Sequence, residues 1–475
     1  MNRYGWAAAA LLATGPLLVT GASRGQGVDP APAAAVPDLR RIEAAAGAAA
    51  RAQIAAGVAP GMTIAVARDG RVVFARGYGK ADAESGTPAG PETIYKIGSV
   101  TKQFTAAVVL RLVEAGKFFL DDPITKFLPD YPAQGHRVTV RHLLNHTSGI
   151  KSFDLGDRDE KGERLFGRDR SYRDMVDRYG KQPFDFKPGE KFAYNNTAYY
   201  LLGEIVARVT GTPYAGYVER ELLRPLGLSH TLHYADGRAI PNLAEGYDAR
   251  DGGGFTRPSY VSLRVVGAAG ALCSTAGDLV RWTYLLHAGT VVSPASLRRM
   301  TAPTPLPGGE SADYGYGLFV GEFAGHRKVY HGGRGLGFLS LVSHYPDDGI
   351  TVAVLMNSGT DRQKRDEVER AVARAALGVT VRDLPLTAED VARYAGAYAV
   401  PSGAKTLELR VFGDGRQLKA QVGEGAATRL RYQGGHRFVQ GESGDVSLAF
   451  TVENGRAERV TVDLRGQVLR GRRKP

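Results

Sequence analysis

The sequence predicts a mixed α/β body followed by a small all-β domain, and three observations carry that prediction. Between residues 38 and 378, helical periodicity alternates with short apolar β runs, the texture of layered helices and sheet. From about residue 390 the pattern changes to period-two alternation around Asp-Gly and Asn-Gly turns, the mark of β-hairpins. The chain has 475 residues, 43% hydrophobic and 23% charged. That is ordinary globular composition, able to bury a core without covalent staples and unlike collagen-like, wholly disordered or polytopic membrane chains.

The elements follow in order. Arg3 precedes an apolar run over residues 6–19, interrupted by Gly15 and Pro16, and then Thr20-Gly21-Ala22-Ser23. A charged start, a short apolar stretch and small residues predict a secretory signal peptide over residues 1–22. The run is too short and too interrupted for a membrane span. Residues 23–37, rich in Gly, Ala and Pro, predict a flexible leader. The expectation is an exported protein, periplasmic or secreted, with no stable membrane insertion after signal removal.

Residues 38–57 have helical character, with Leu39, Ile42 and Ile54 in an Ala-rich background. Met62, Ile64 and Val66 alternate before Asp69-Gly70 and a second apolar run at 72–74, which predicts a hairpin. Gly98-Ser99-Val100-Thr101-Lys102 opens a helix in which Phe104, Val108 and Leu112 recur four apart, with Gly116 at its stop. Residues 151–182 are highly charged with few apolar anchors and predict an exposed excursion. Helices are expected over 197–209 and 214–224, a strand over 348–356, and an amphipathic helix over 363–377 ending at Gly378. Residues 379–389, containing Asp383-Leu384-Pro385, read as a linker. In residues 390–475, Leu407, Leu409 and Val411 alternate before Asp414-Gly415. Leu448, Phe450 and Val452 alternate before Asn454-Gly455, and Val460, Val462 and Leu464 after it.

Charge and cysteine content narrow the function classes. Sixty-one Lys and Arg against 49 Asp and Glu give +12. The excess is spread along the chain, with one dense run in the tail, Arg470, Arg472, Arg473 and Lys474. No zinc-finger, RNP-type or basic-zipper pattern accompanies it, so no nucleic-acid partner is expected. The single cysteine, Cys273, excludes an intramolecular disulfide framework and Cys-rich metal sites.

Three separated motifs carry chemistry. Ser99 and Lys102, three apart at a helix start, share a face. A serine hydroxyl needs a base to become a nucleophile, and a lysine serves when its pKa is lowered. Tyr194-Asn195-Asn196 follows a Pro-Gly loop and precedes a helix, where a tyrosine relays protons and an asparagine orients a carbonyl. His331-Gly332-Gly333-Arg334-Gly335 precedes an apolar run, and glycines before a strand permit close backbone approach to a ligand. Each motif alone is weak, since a capped helix, a buried tyrosine or a tight turn would also account for it.

Together, in this order and spacing, they resemble the serine β-lactamase and penicillin-binding-protein superfamily, whose motifs are Ser-x-x-Lys, then Tyr-x-Asn or Ser-x-Asn, then Lys/His-x-Gly. Further stretches resemble it too, among them Val138 with the eleven residues to Gly149, Gly270-Ala271-Leu272-Cys273-Ser274, and Tyr314-Gly315-Tyr316-Gly317-Leu318. The resemblance runs from about residue 40 to 378 and is nearest the class C β-lactamase, D-aminopeptidase and esterase branch. It implies an α/β/α sandwich on an antiparallel sheet with a helical lobe. The segment after residue 390 resembles the lipocalin-like barrels attached to some members. The implied domains are therefore 38–378 for the hydrolase, 379–389 for the linker and 390–475 for the barrel.

Residue by residue, the resemblance implies Ser99 as the acylated nucleophile and Lys102 as its base, with Tyr194 sharing proton transfer. Asn196, His331 and Gly333 are implied substrate contacts, the last two on a sheet-edge strand. The backbone N–H groups of Ser99 and Arg334 are the implied oxyanion hole. The reaction is attack on an ester or amide, an acyl-enzyme and hydrolysis, with a small molecule or peptide as substrate and no cofactor or metal. One departure is His331, where many β-lactamases carry lysine. A histidine is mostly neutral at pH 7, which shifts weight from β-lactams to esters and peptides. A rival reading is a penicillin-binding or sensor module that is acylated but turns over slowly.

Other constellations are weaker. His142 and His146 lie four apart, as if on one helical face, but Leu143 stands where a zinc protease needs glutamate. His230 and His233 lack a third ligand. No serine sits in a Gly-x-Ser-x-Gly elbow, and the glycines at 252–254 and 332–337 lack the context of a nucleotide loop.

Overall fold

The computed structural model describes residues 38–159, 161–234, 238–402, 405–440, 446–464 and 467–475. The expected signal peptide and leader lie outside the described residues.

Helix α1 (Leu39–Ala55) begins where the Asp38 carboxylate accepts the Arg40 and Arg41 N–H groups. The first hairpin follows as β1 (Gly61–Arg68) and β2 (Arg71–Gly79). Helix α2 (Thr101–Glu114) comes after a 3-10 turn at Gly98–Val100. The helical lobe adds α3 (Val140–Leu144) and α4 (Asn196–Thr210). Helix α5 (Ala276–His287) then leads to strands β3 (Phe319–Phe323), β4 (His326–Gly335), β5 (Phe338–Tyr345) and β6 (Ile350–Met356), and to α6 (Arg362–Ala376).

These six strands form one antiparallel sheet in the order β3-β4-β5-β6-β1-β2. The alternation read from β1 sets its two faces. Met62, Ile64 and Val66 pack with Ile42, Ala46, Val368 and Val372 of α1 and α6. Ala65 and Ala67 face the other way, into a core with α2, α4 and Trp282 of α5. The sheet is thus covered on both sides, an α/β/α sandwich with a helical lobe.

Residues 151–182 differ from the exposed excursion expected of them. Phe153, Leu165, Phe166, Met175, Val176 and Tyr179 are buried, and the Phe166 and Tyr179 rings stack with centroids 6.5 Å apart. These anchors are irregularly spaced over loops and a short helical stretch at residues 172–180, so no periodicity reveals them, while most of the described charges between them are exposed.

Helix α7 (Ala388–Tyr394) spans the boundary expected at residues 389 and 390. After it come β7 (Gly396–Ser402), β8 (Lys405–Asp414), β9 (Gln417–Val422), β10 (Thr428–Gly434), β11 (Arg437–Gln440), β12 (Val446–Glu453), β13 (Arg456–Leu464) and β14 (Gln467–Arg473). They close into an eight-stranded antiparallel barrel. Leu409, Leu418, Phe438, Leu448, Phe450 and Val460 fill its interior. Tyr394 closes this core, its ring 4.8 Å from Phe438 and 5.2 Å from Phe450. Arg437 pairs with Glu322 of β3, and Arg470 lies 3.2 Å from Asp313, so the barrel rests against the β3 edge of the body.

Candidate active site

Ser99 lies in the 3-10 turn before α2 and does not cap that helix. The turn is held tightly: a Cβ on Gly98, whose φ is +50°, would meet the Arg334 backbone nitrogen and oxygen at 3.0 Å. Ser99 is thereby set beside β4. Gly333 is equally constrained, because a Cβ there would lie 1.9 Å from the Ile97 carbonyl oxygen and 2.4 Å from Ser340 Oγ. Only glycine allows the two backbones this approach.

Lys102, the second residue of α2, is fully buried. Its Nζ lies 3.2 Å from Ser99 Oγ, 2.9 Å from Asn196 Oδ1 and 2.8 Å from the Ala269 carbonyl oxygen. Burial holds its pKa well below the usual lysine value. A neutral amine has two hydrogens and one lone pair. The Asn196 and Ala269 oxygens can only accept, so they take the two hydrogens. The lone pair is left for the Ser99 O–H.

Asn195 caps α4, its Oδ1 accepting the Ala198 N–H at 2.8 Å. Its neighbours flank the nucleophile. Asn196 is fixed at both ends of its amide, Oδ1 by Lys102 and Nδ2 by donation to the Phe153 carbonyl at 3.1 Å. The Tyr194 ring lies 4.9 Å from Lys102 Nζ. Its hydroxyl is buried, and burial raises its pKa against the opposing effects of Ser99 and Arg362.

The third motif lies within β4 itself rather than before a strand, and β4 is the second strand of the sheet, not its edge. β3 nevertheless pairs only with residues 326–330 of β4. From His331 to Gly335, the strand that pairs with β4 is β5 alone. The His331 side chain is buried. Its Nδ1–H donates to the Gly332 carbonyl at 2.7 Å, which leaves Nε2 to accept from Tyr314 Oη at 3.2 Å. Burial, reinforced by Lys102, brings its pKa down to about 3. It is a neutral imidazole among aromatic rings.

Sequence reasoning missed several partners. The Ala269 carbonyl that fixes Lys102 sits in a Gly-Ala-Ala-Gly turn whose only sequence signal is its glycines. Arg365 of α6 is buried and donates to the carbonyls of Gly333 and Ser340 at 3.3 and 2.8 Å, bracing the third motif from behind. The His142 and His146 pairing on one helical face does not occur. Helix α3 stops at Leu144, and His146 follows it with φ +60°. Cys273 is buried with its thiol pushed up to about 12, which leaves it inert as a nucleophile.

A cavity of about 1610 Å³ opens over Ser99, Tyr194 and Asn196 and continues along β3 and β4 to the outer wall of the barrel, where Ser447 and Thr461 line it.

The beta-lactamase family matches residues 46–377. The chain belongs to the beta-lactamase family. Its relatives include a D-aminopeptidase of Gluconobacter oxydans (strain 621H), 29% identical over 370 residues that cover 74% of this chain and 67% of the relative. They also include penicillin-binding protein 4* of Bacillus subtilis (strain 168), 27% identical over 400 residues that cover 78% of this chain and 87% of the relative. Among solved structures, the octameric penicillin-binding protein homologue from Pyrococcus abyssi aligns with a TM-score of 0.62 at 28% identity, over 92% of this chain and 100% of that one. The protein is therefore a hydrolase of the beta-lactamase fold, and the cleft just described lies within the matched region apart from residues 378–382 and the barrel wall.

Proposed function

We propose that this protein is an exported serine hydrolase that cleaves an amide or ester through an acyl-enzyme on Ser99, with D-amino-acid peptides as the substrate class. The observation that carries the reading is the buried Lys102 amine 3.2 Å from Ser99 Oγ. With its two hydrogens committed elsewhere, its lone pair takes the Ser99 proton as Oγ attacks the carbonyl. The carbonyl oxygen becomes an oxyanion between the Ser99 and Arg334 N–H groups. Tyr194 then passes a proton to the leaving amine or alcohol, and in the second half-reaction it helps to activate water. Asn196 orients the substrate carbonyl, while His331 and Gly333 shape the edge against which the substrate lies.

The size of the cleft supports a peptide over a short acyl ester. Its volume of about 1610 Å³ exceeds the range of roughly 300–1,000 Å³ common for small-molecule sites. D-Aminopeptidase relatives support an amide bond as the one broken. The neutral His331 supplies no fixed cation for a β-lactam carboxylate. Export rests on the N-terminal residues 1–22, and N-terminal sequencing of the mature protein tests it.

The deciding experiment is intact-mass detection of an acyl adduct with a p-nitrophenyl ester, a D-amino-acid amide and a penicillin, in the parent and in Ser99→Ala. Adduct and turnover in the parent, both lost in a Ser99→Ala protein of unchanged thermal stability, are expected. Parent-level turnover by Ser99→Ala would overturn the assignment. A long-lived adduct without turnover on all three would favour the sensor reading.

A further inference from the structure

We infer that His146 is the positioning residue for Tyr194, gripping the chain on both sides of it. This rests on the role given to Tyr194 above. The Ala193 N–H donates to the His146 carbonyl at 2.9 Å, and the Asn195 N–H donates to His146 Nδ1 at 3.1 Å. One residue thus holds the peptide units before and after Tyr194. Its ring also packs on the tyrosine, with centroids 4.4 Å apart and planes 42° apart.

The arrangement requires a specific form of the imidazole. An Nδ1 that accepts a backbone N–H carries no proton, so the hydrogen sits on Nε2. Nε2 is buried and has no hydrogen-bond partner. A protonated ring could not accept from Asn195, and the Tyr194–Asn196 segment would lose an anchor. The titratable groups facing His146 are Lys102 of α2, His331 of β4, Tyr194 just before α4, Tyr199 within it, and Tyr314. Burial with Lys102 and His331 nearby keeps the ring neutral.

The backbone supports the same role. His146 adopts φ +60° just past the end of α3, a region uncommon for non-glycine residues in which Asn, Asp and His are the enriched side chains. That geometry turns its carbonyl and its imidazole toward one strand of chain, residues 193–195. The position therefore needs a side chain that accepts a hydrogen bond close to its own backbone. Asparagine shares both properties, because its Oδ1 occupies the place of Nδ1 and it tolerates the left-handed region.

The test is a mutant cycle on the full chain, with kcat and KM measured for a p-nitrophenyl ester and folding followed by thermal melts. His146→Phe keeps a ring but removes the acceptor, and it should lower kcat about 10²-fold while KM moves less than about threefold. His146→Asn should recover kcat to within about fivefold of the parent. In a Tyr194→Phe background, itself slow, His146→Phe should cost less than a further twofold or so, because the phenol it positions is gone. If His146→Phe does not fold, His146→Gln takes its place in the cycle, since its longer amide leaves the Asn195 N–H without its acceptor. Losses that multiply in the double mutant, or an Asn variant as slow as the Phe variant, overturn the inference while leaving the Tyr194 role standing. A Tyr194→Phe enzyme as fast as the parent removes both.

Discussion

Lys102 Nζ donates to Asn196 Oδ1 across 2.9 Å, joining two motifs 94 residues apart. The contact makes Asn196 a steering group for the lysine. Its oxygen, with that of Ala269, leaves the amine one direction free, and Ser99 lies in it.

Replacing Lys102 by arginine puts a permanent cation where a neutral amine acts and supplies no lone pair, since guanidinium stays protonated. The expected loss in kcat/KM is about 10³-fold, within the range for a missing general base. Steady-state kinetics at pH 7 to 9 check it, and recovery of activity with rising pH would contradict it.

The same lysine shapes stability against pH. Its folded pKa lies below the unfolded value of about 10.4, so the unfolded chain binds more protons between the two. The contribution is complete above the unfolded pKa and is lost as pH falls toward the folded one. Lys102→Met should therefore gain on the parent in melting temperature as pH is lowered from 10 to 7. A difference that stays flat over that interval would show that the lysine is not buried as a neutral amine.

His331 acts in the acid range. Its pKa, about 3 when folded, lies below the free value of about 6.5, so its stabilising contribution is present above 6.5 and lost as pH falls through 3. His331→Gln should flatten the decline in stability between pH 6.5 and 3, as read by denaturant melts. Because His146 and His331 both stay neutral, neither should place an inflection near pH 6.5 in kcat/KM.

Gly333→Ala should cost about 10²-fold in kcat/KM, because its methyl meets the Ile97 carbonyl and Ser340 Oγ and forces β4 away from the Ser99 turn. Titration of acyl-enzyme formation by stopped flow checks it. Parent-like acylation would mean that the separation of Ser99 from Arg334 is not set there.

Much was legible in the chain because its signals are local. Met62, Ile64 and Val66 face α1 and α6 as their alternation implies, and the motif order alone suggested which serine, lysine and tyrosine converge. The charged segment 151–182 misled because its anchors, Phe153 and Phe166 among them, follow no period. His146 was grouped with His142 because four-residue spacing implies a shared face only while a helix continues, and α3 ends before it.

The sequence by itself determined the hairpin turns, the change to an all-β segment after residue 390 and each separate motif, since each depends on residues a few positions apart. Only the tertiary structure decided that burial pulls the Lys102 pKa well down, that His331 is neutral, that Ala269 and Arg365 support the site, and that the barrel wall extends the cleft. Those properties arise from desolvation and from contacts between distant segments. Neither exists until the layers have packed.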